Sequence, residues 1–91
     1  MKKIFHDKNV MVTGGSSGIG FAIAKQLINL GARVWILGRD DKKLIQANNA
    51  IGSEELNIIT ADVTKLDQLE EIAKEFTDKN LKFDLLINSA G

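Results

Sequence analysis

The sequence predicts an α/β fold in which a parallel, doubly wound sheet of four strands is flanked by three helices. Two patterns carry this prediction. Short apolar segments rich in β-formers alternate with longer segments of helical period, which is typical of parallel strands joined by helical crossovers. Four glycines cluster where the first apolar segment gives way to the first helical one. With 91 residues, the chain is predicted to form one domain, residues 1–91.

The first helix is predicted to lie between two buried strands. Val10-Met11-Val12 is a short apolar run that predicts the first strand, and the segment Arg33 to Leu37 predicts the second. Gly31 stands where a helix C-terminal cap belongs. The apolar stripe of the helix is predicted to consist of Ile19, Ala22, Ile23, Leu27 and Leu30.

The second helix is predicted to begin at an aspartate cap and to end at a glycine. Asp40 or Asp41 is the expected N-cap, and Gly52 stops the helix before a third strand, Leu56 to Ala61. The inward side chains of this helix are predicted to be Leu44, Ala47 and Ile51.

The third helix is predicted to begin near Thr64 and Asp67, which resemble a capping box with Asp in the place of the usual Glu. A fourth strand follows at Phe83 to Asn88. The apolar stripe between them consists of Leu66, Leu69, Ile72, Ala73 and Phe76.

The strand order is predicted from the handedness of the connections. Right-handed crossovers place the first two helices on one face of the sheet while the strands step outward. If the third connection doubles back, the fourth strand lies beside the first and the order is 3-2-1-4. A crevice then opens at the carboxyl ends of strands one and four, where doubly wound sheets bind their ligands.

Composition excludes several classes of function. Twelve basic and twelve acidic residues balance, so no net charge favours nucleic acid or an anionic membrane. The absence of Cys excludes disulfides and thiolate metal sites, and a single His disfavours a histidine metal cluster, so no metal site is expected. Because the apolar residues near the start are interrupted by polar ones, no signal peptide is predicted. We therefore expect a cytoplasmic protein without a membrane segment.

The glycine cluster, Val12 to Gly20 ("VTGGSSGIG"), indicates an anion-binding turn. A helix N-terminus presents unpaired backbone N–H groups, and glycines allow the backbone to approach a pyrophosphate closely. Ser16 and Ser17 add hydroxyl donors. A mononucleotide-binding loop is disfavoured because Phe21 and Ala22 stand where Lys and Ser/Thr are required. A glycine-rich turn without a ligand is the alternative.

Three motifs on successive strand ends carry a family resemblance. "TGGSSGIG" (13–20) has the pattern T-G-x-x-x-G-[IL]-G, "ADV" (61–63) follows the third strand, and "INSAG" (87–91) follows the fourth. Together they resemble the N-terminal cofactor-binding half of the short-chain dehydrogenase/reductase (SDR) family, over essentially the whole chain. The last motif is N-N-A-G in that family, so Ser89 departs from it.

The resemblance implies a Rossmann-like sheet that binds a nicotinamide dinucleotide. It implies that Asp62 hydrogen-bonds the adenine amino group, that Thr13 ties strand one to strand four, and that Asn88 steadies the central strands near a ribose. Asp62 as a capping carboxylate before Thr64, and Asn88 as a structural amide, are the alternatives. The expected cofactor-binding residues are Gly14, Ser16, Ser17, Gly18, Ile19, Gly20, Arg39, Asp62, Val63, Asn88, Ala90 and Gly91.

The end of the second strand favours NADP(H) over NAD(H). An acidic residue about 20 residues past the glycines accepts hydrogen bonds from the ribose hydroxyls of NAD. Here that position is Gly38, and the next residue is Arg39, whose guanidinium suits a phosphate. In the family, a basic residue at this place marks an NADP(H) preference. Pairing of Arg39 with Asp40 or Asp41 is the alternative.

The resemblance implies an NADP(H)-dependent oxidoreductase that transfers hydride between the nicotinamide and an alcohol or carbonyl substrate. The family's catalytic Tyr-x-x-x-Lys cannot be present because the chain has no Tyr. We therefore expect a sheet truncated after the fourth strand, a catalytic half absent from these residues, and an inactive chain. An exposed fourth strand predicts a homo-oligomer. A non-catalytic nucleotide-binding module and a truncated remnant are the alternatives; an S-adenosylmethionine methyltransferase is disfavoured because Gly38 supplies no acid.

Overall fold

The computed structural model describes residues 4–14, 18–62 and 64–89. Within them, four strands alternate with three helices. The elements are β1 (Asn9–Thr13), α1 (Gly18–Asn29), β2 (Arg33–Gly38), α2 (Asp41–Ile51), β3 (Leu56–Thr60), α3 (Leu66–Asp78) and β4 (Leu85–Asn88). The strands are parallel and lie in the order β3-β2-β1-β4, so the predicted fold class and strand order are confirmed.

One face of the sheet carries the hydrophobic core. Val10 and Val12 of β1 pair in register with Val34 and Ile36 of β2, and all four side chains are fully buried. Helices α1 and α2 cover this face, as the right-handed crossovers predict. Their buried side chains in the core are Ala24, Leu27, Leu44 and Ala47.

The predicted stripe of α1 is partly wrong. Ile19 is 76% exposed and Ala22 is also exposed, whereas Gly20, Ala24 and Leu27 are buried. The helix begins at Gly18, inside the glycine turn, and it lies against the sheet through Gly20, the residue without a side chain. Because α1 lies close to Gly14 and Ser89 at Gly20, the neighbouring Ile19 faces solvent although its side chain is hydrophobic.

Helix α2 has the predicted caps, and α3 does not. The Asp40 carboxylate accepts a hydrogen bond from the Lys43 backbone N–H, and Gly52 ends the helix in a left-handed conformation. The capping box predicted at Thr64 and Asp67 is wrong, because the N-cap of α3 is Lys65 and no side chain caps it. Thr64 instead donates hydrogen bonds to Asp62, through both its backbone N–H and its hydroxyl.

The second face of the sheet is more open. Helix α3 has no buried residue, and its Phe76 ring meets Trp35 of β2 and Phe83 edge-on, with ring centroids 4.9–6.2 Å apart. Among the described residues, strand β4 pairs with β1 and with no other strand, and its Leu85 and Leu86 are 41% and 64% exposed. In the described ranges, none of the helices combines the length and apolar character that crossing a bilayer requires.

Candidate functional site

The parallel sheet gathers the predicted site residues at one edge. Gly14 follows β1, Arg39 follows β2, Asp62 follows β3, and Asn88 ends β4. Because all four strands run in the same direction, their carboxyl ends share one edge of the sheet. The glycine turn, the guanidinium, the carboxylate and the amide are therefore brought together from four separate parts of the sequence.

The glycine turn brings β1 and α1 into very close contact. Gly14 and Gly18 have positive φ angles of 74° and 61°, which side chains rarely adopt, and the Gly14 N–H donates a hydrogen bond to the Leu37 carbonyl at 2.9 Å. A Cβ on Gly20 would collide with the Gly14 carbonyl and the Ser89 hydroxyl. Ile19 is exposed beside this turn, whereas the predicted donors Ser16 and Ser17 lie outside the described residues.

Polar side chains join β1 to β4 directly beneath that turn. The Thr13 hydroxyl donates to the Asn88 carboxamide oxygen at 2.9 Å, which confirms the predicted tie between the two strands. Ser89 donates twice to the Thr13 carbonyl, from its hydroxyl at 2.7 Å and from its backbone N–H at 3.0 Å. Ala90 and Gly91 lie outside the described residues.

Asp62 is held by the residues that follow it. Its carboxylate accepts hydrogen bonds from the Thr64 hydroxyl at 2.6 Å and from the Thr64 backbone N–H at 2.9 Å. These two bonds, in that order, lower the pKa of Asp62 below its usual value; partial burial opposes them, and Arg39 and Lys65 add to the lowering. The carboxylate therefore stays ionised, and able to accept a ligand's N–H group, to a lower pH than an ordinary aspartate. Val63 lies outside the described residues.

Gln68, in the first turn of α3, is a site residue that sequence reasoning missed. Its side-chain oxygen accepts the Asp62 backbone N–H at 2.8 Å. The bond fixes the start of α3 to the end of β3. The spacing of six residues across a turn has no regular period, so only the folded geometry brings the two together.

A cavity of about 500 Å³ opens at this edge between the ends of β2 and β3 and the start of α3. It lies beside the Asp62 carboxylate and combines charged, amide and aliphatic groups. Its lining residues are Arg39, Thr60, Ala61, Asp62, Gln68, Glu71 and Ile72. Such a mixture suits a flat, polar ring that is followed by an anionic group.

Arg39 is exposed at the rim of this cavity. Within the part of the chain that the structure describes, no carboxylate lies within ion-pair distance of its guanidinium. Asp40 caps α2 through Lys43, and Asp41 accepts a hydrogen bond from the Thr60 hydroxyl at 2.7 Å. The alternative in which Arg39 pairs with Asp40 or Asp41 is therefore not observed.

Comparison with known proteins decides the family. The model of the short chain dehydrogenase family matches residues 8–91. The chain belongs to this family. Short chain dehydrogenases are oxidoreductases that bind a nicotinamide dinucleotide. The described residues of the three motifs that carry the resemblance lie at the sheet edge where the candidate site is found.

Individual short chain dehydrogenases and relatives agree in sequence and in fold. An uncharacterized oxidoreductase of Staphylococcus aureus is 38% identical over 88 residues. A crystal structure of a short chain dehydrogenase from Bacillus anthracis has a TM-score of 0.83 and 34% identity, covering 92% of this chain and 34% of that one. RhlG of Pseudomonas aeruginosa, solved as an active-site complex with NADP, has a TM-score of 0.85 and 31% identity, covering all of this chain and 38% of that one.

The shared region is the part of a short chain dehydrogenase that contains the glycine turn. The match to the Staphylococcus aureus oxidoreductase covers 97% of this chain and 38% of that relative. The 91 residues thus span well under half the length of the relatives they match.

Proposed function

We propose that this chain is the NADP(H)-binding half of an oxidoreductase that acts on an alcohol or carbonyl substrate. One observation carries the proposal. The Arg39 guanidinium stands at the rim of the cavity beside Asp62, and no carboxylate of the described residues pairs with it. A guanidinium without an acidic partner is suited to bind a phosphate through paired, charge-assisted hydrogen bonds.

The end of β2 supports NADP(H) over NAD(H). Gly38 ends the strand and provides no carboxylate for the ribose hydroxyls of NAD, and Arg39 follows it with a positive charge. The 2′-phosphate that distinguishes NADP from NAD is the anion this guanidinium would receive. The NADP complex of RhlG, a structural neighbour, is consistent with the same preference.

The glycine turn suits a dinucleotide because its glycines have no side chains that would keep a ligand away from the backbone. The absence of a Cβ at Gly20 lets the start of α1 lie against Gly14 and Ser89. The N-terminus of a helix carries unpaired N–H groups, which suit an anion. We assign the diphosphate to this turn, through Gly14, Gly18, Ile19 and Gly20, together with Ser16 and Ser17.

The remaining residues are assigned to the adenosine end and to the strand ends. The Asp62 carboxylate, whose pKa is lowered by Thr64, accepts a hydrogen bond from the adenine amino group, and Val63 lies next to it in sequence. We assign Asn88, at the end of β4, to the cofactor site, together with Ala90 and Gly91, which follow it in the sequence. When bound, the nicotinamide supplies or accepts the hydride; the role of the 91 residues is to bind and orient the dinucleotide.

We expect these 91 residues alone to bind the cofactor without turnover, because they contain no Tyr. Calorimetric titration of the purified chain is expected to give a dissociation constant for NADP⁺ at least about tenfold lower than for NAD⁺, which corresponds to about 1.4 kcal/mol. Absorbance of the reduced nicotinamide is expected to stay constant with any alcohol. A chain that takes up neither dinucleotide would contradict the proposal.

A non-catalytic nucleotide-binding module predicts the same binding result. The sequence of the complete reading frame distinguishes it from an enzyme. A downstream Tyr-x-x-x-Lys supports the oxidoreductase, and a reading frame without one supports the module.

We also propose that the chain self-associates through β4. Leu85 and Leu86 expose apolar surface on a strand that has one neighbour among the described residues, and such edges pair with other edges. Sedimentation velocity is expected to show species larger than a monomer as concentration rises, and Leu86→Lys is expected to suppress them. Leu66→Lys is the matched control, since Leu66 is 69% exposed and belongs to α3 instead of β4. A monomer at high concentration would exclude the association.

A further inference from the structure

We propose that Thr60 is a specificity-determining positioning residue, which keeps the Asp41 carboxylate away from Arg39 and so leaves the guanidinium available to a 2′-phosphate. The inference rests on the proposed function, in which Arg39 receives that phosphate. It adds a residue from a different strand, outside the family motifs, to the determinants of cofactor choice.

The hydrogen bond from Thr60 to Asp41 connects β3 to the start of α2. The Thr60 hydroxyl donates to Asp41 Oδ1 at 2.7 Å. Thr60 is the last residue of β3 and pairs in register with Gly38, the residue before Arg39. The Ala61 N–H donates to the Gly38 carbonyl at 2.8 Å, which fixes the two strand ends together. Thr60 and Arg39 also line the same cavity.

Glu71 lines the same cavity as Arg39 without forming an ion pair with it among the described residues. Three further carboxylates lie next to Arg39 in the sequence or in the cavity, and each accepts a hydrogen bond from another donor. Asp40 accepts the Lys43 backbone N–H, and Asp62 accepts both the hydroxyl and the backbone N–H of Thr64. For Asp41, which lies on α2, the hydrogen bond comes from the side chain of Thr60 on β3. The backbone N–H groups that donate to Asp40 and Asp62 remain when side chains are substituted. The Asp41 contact is therefore the one that a single substitution at Thr60 removes.

Release of Asp41 would change the electrostatics of the phosphate site. Asp41 is two residues from Arg39, in the exposed first turn of α2, where a carboxylate is also favourable to the helix dipole. Without the Thr60 hydroxyl, its side chain can turn toward the guanidinium and compete with a bound phosphate. An exposed ion pair of this kind is weak, so the expected effect on affinity is moderate.

The test compares cofactor preference in variants of the purified chain. Thr60→Val keeps the branched shape and removes the donor, and it is expected to raise the dissociation constant for NADP⁺ about two- to fivefold while that for NAD⁺ stays unchanged. Thr60→Ser, which keeps the hydroxyl, is expected to restore the preference. In an Asp41→Asn background, Thr60→Val is expected to leave the preference unchanged, because the competing charge is gone.

Arg39→Ala, measured in parallel, separates the failure of this inference from that of the proposed function. If Arg39→Ala does not change the ratio of the two dissociation constants, the assignment of the 2′-phosphate to Arg39 and the role of Thr60 are both wrong. If Arg39→Ala lowers the preference and Thr60→Val does not, the role of Thr60 alone is wrong. A loss with Thr60→Val that persists in the Asp41→Asn background also overturns it, since a structural effect of Thr60 would not depend on the Asp41 charge.

Discussion

Replacing Gly20 with alanine is expected to lower the free energy of unfolding by about 1–3 kcal/mol and to weaken NADP⁺ binding about tenfold or more. The added Cβ would overlap the Gly14 carbonyl and the Ser89 hydroxyl, so the glycine turn and the start of α1 must move apart. The loss outweighs the gain of about 1 kcal/mol that alanine ordinarily brings to a helix. Urea unfolding followed by circular dichroism and calorimetric titration measure the two effects.

Gly38→Ala is the control for this substitution. A Cβ on Gly38 would approach Leu44 Cδ2 at 3.4 Å, an ordinary contact with a side chain, and Gly38 does not have a positive φ. Its effect on stability is expected to stay within about 1 kcal/mol. If Gly20→Ala proves as stable as the unsubstituted chain and binds NADP⁺ equally well, the close packing of α1 on the turn is not what shapes the site.

Arg39→Ala is expected to raise the dissociation constant for NADP⁺ roughly 10- to 150-fold and to change that for NAD⁺ little. Hydrogen bonds to a charged group contribute about 1.5–3 kcal/mol, and NAD has no 2′-phosphate to lose them. The guanidinium is free of ion pairs among the described residues, so its removal breaks no contact that the fold requires. Calorimetric titration with both dinucleotides measures the change in preference.

Lys42→Ala provides the matched control for Arg39→Ala. Lys42 is an exposed cation in the first turn of α2, three residues further along the chain. Removing it lowers the positive charge near the site by the same amount without removing the guanidinium fork. Equal losses for Lys42→Ala and Arg39→Ala would show that general charge, and not Arg39 itself, selects the cofactor. Equal losses of NADP⁺ and NAD⁺ binding with Arg39→Ala would exclude the 2′-phosphate as its ligand.

The order of elements could be predicted because each carries a local signal. The β-branched runs of β1 and β2, the Asp40 cap and the Gly52 stop are properties of neighbouring residues, and they lead directly to the observed elements. Local signals failed where two of them competed. Threonine is a common helix N-cap residue, but the Thr64 hydroxyl donates its hydrogen bond to Asp62 instead. Helix α3 therefore begins without a side-chain cap.

The orientation of α1 could not be predicted because it depends on packing at one point. Hydrophobicity places Ile19 on the sheet, whereas the sterics of the turn place Gly20 there. The spacing of apolar residues along a helix indicates which side chains can be buried. It does not indicate how closely the helix backbone approaches the sheet. The smallest residue determined the contact.

Motifs located the candidate site, and the contacts that support it came from the fold. Thr13 and Asn88 were found because they belong to motifs, and their hydrogen bond is present. Ser89, Gln68 and Thr60 support the site through bonds between separate segments. From the sequence, Ser89 is only the replacement of the family's second asparagine, which removes an amide. In the structure, its hydroxyl donates a hydrogen bond to the Thr13 carbonyl.

The edge-on contacts of Trp35 with Phe76 and Phe83 make the single indole of the chain a natural fluorophore for one local event. Because α3 buries no side chain deeply, it is the helix most easily lifted from the sheet while the other face stays folded. Fluorescence emission from Trp35 is therefore expected to change when α3, which lines the Asp62 cavity, separates from the sheet. This change is expected at denaturant concentrations too low to unfold the hydrophobic core.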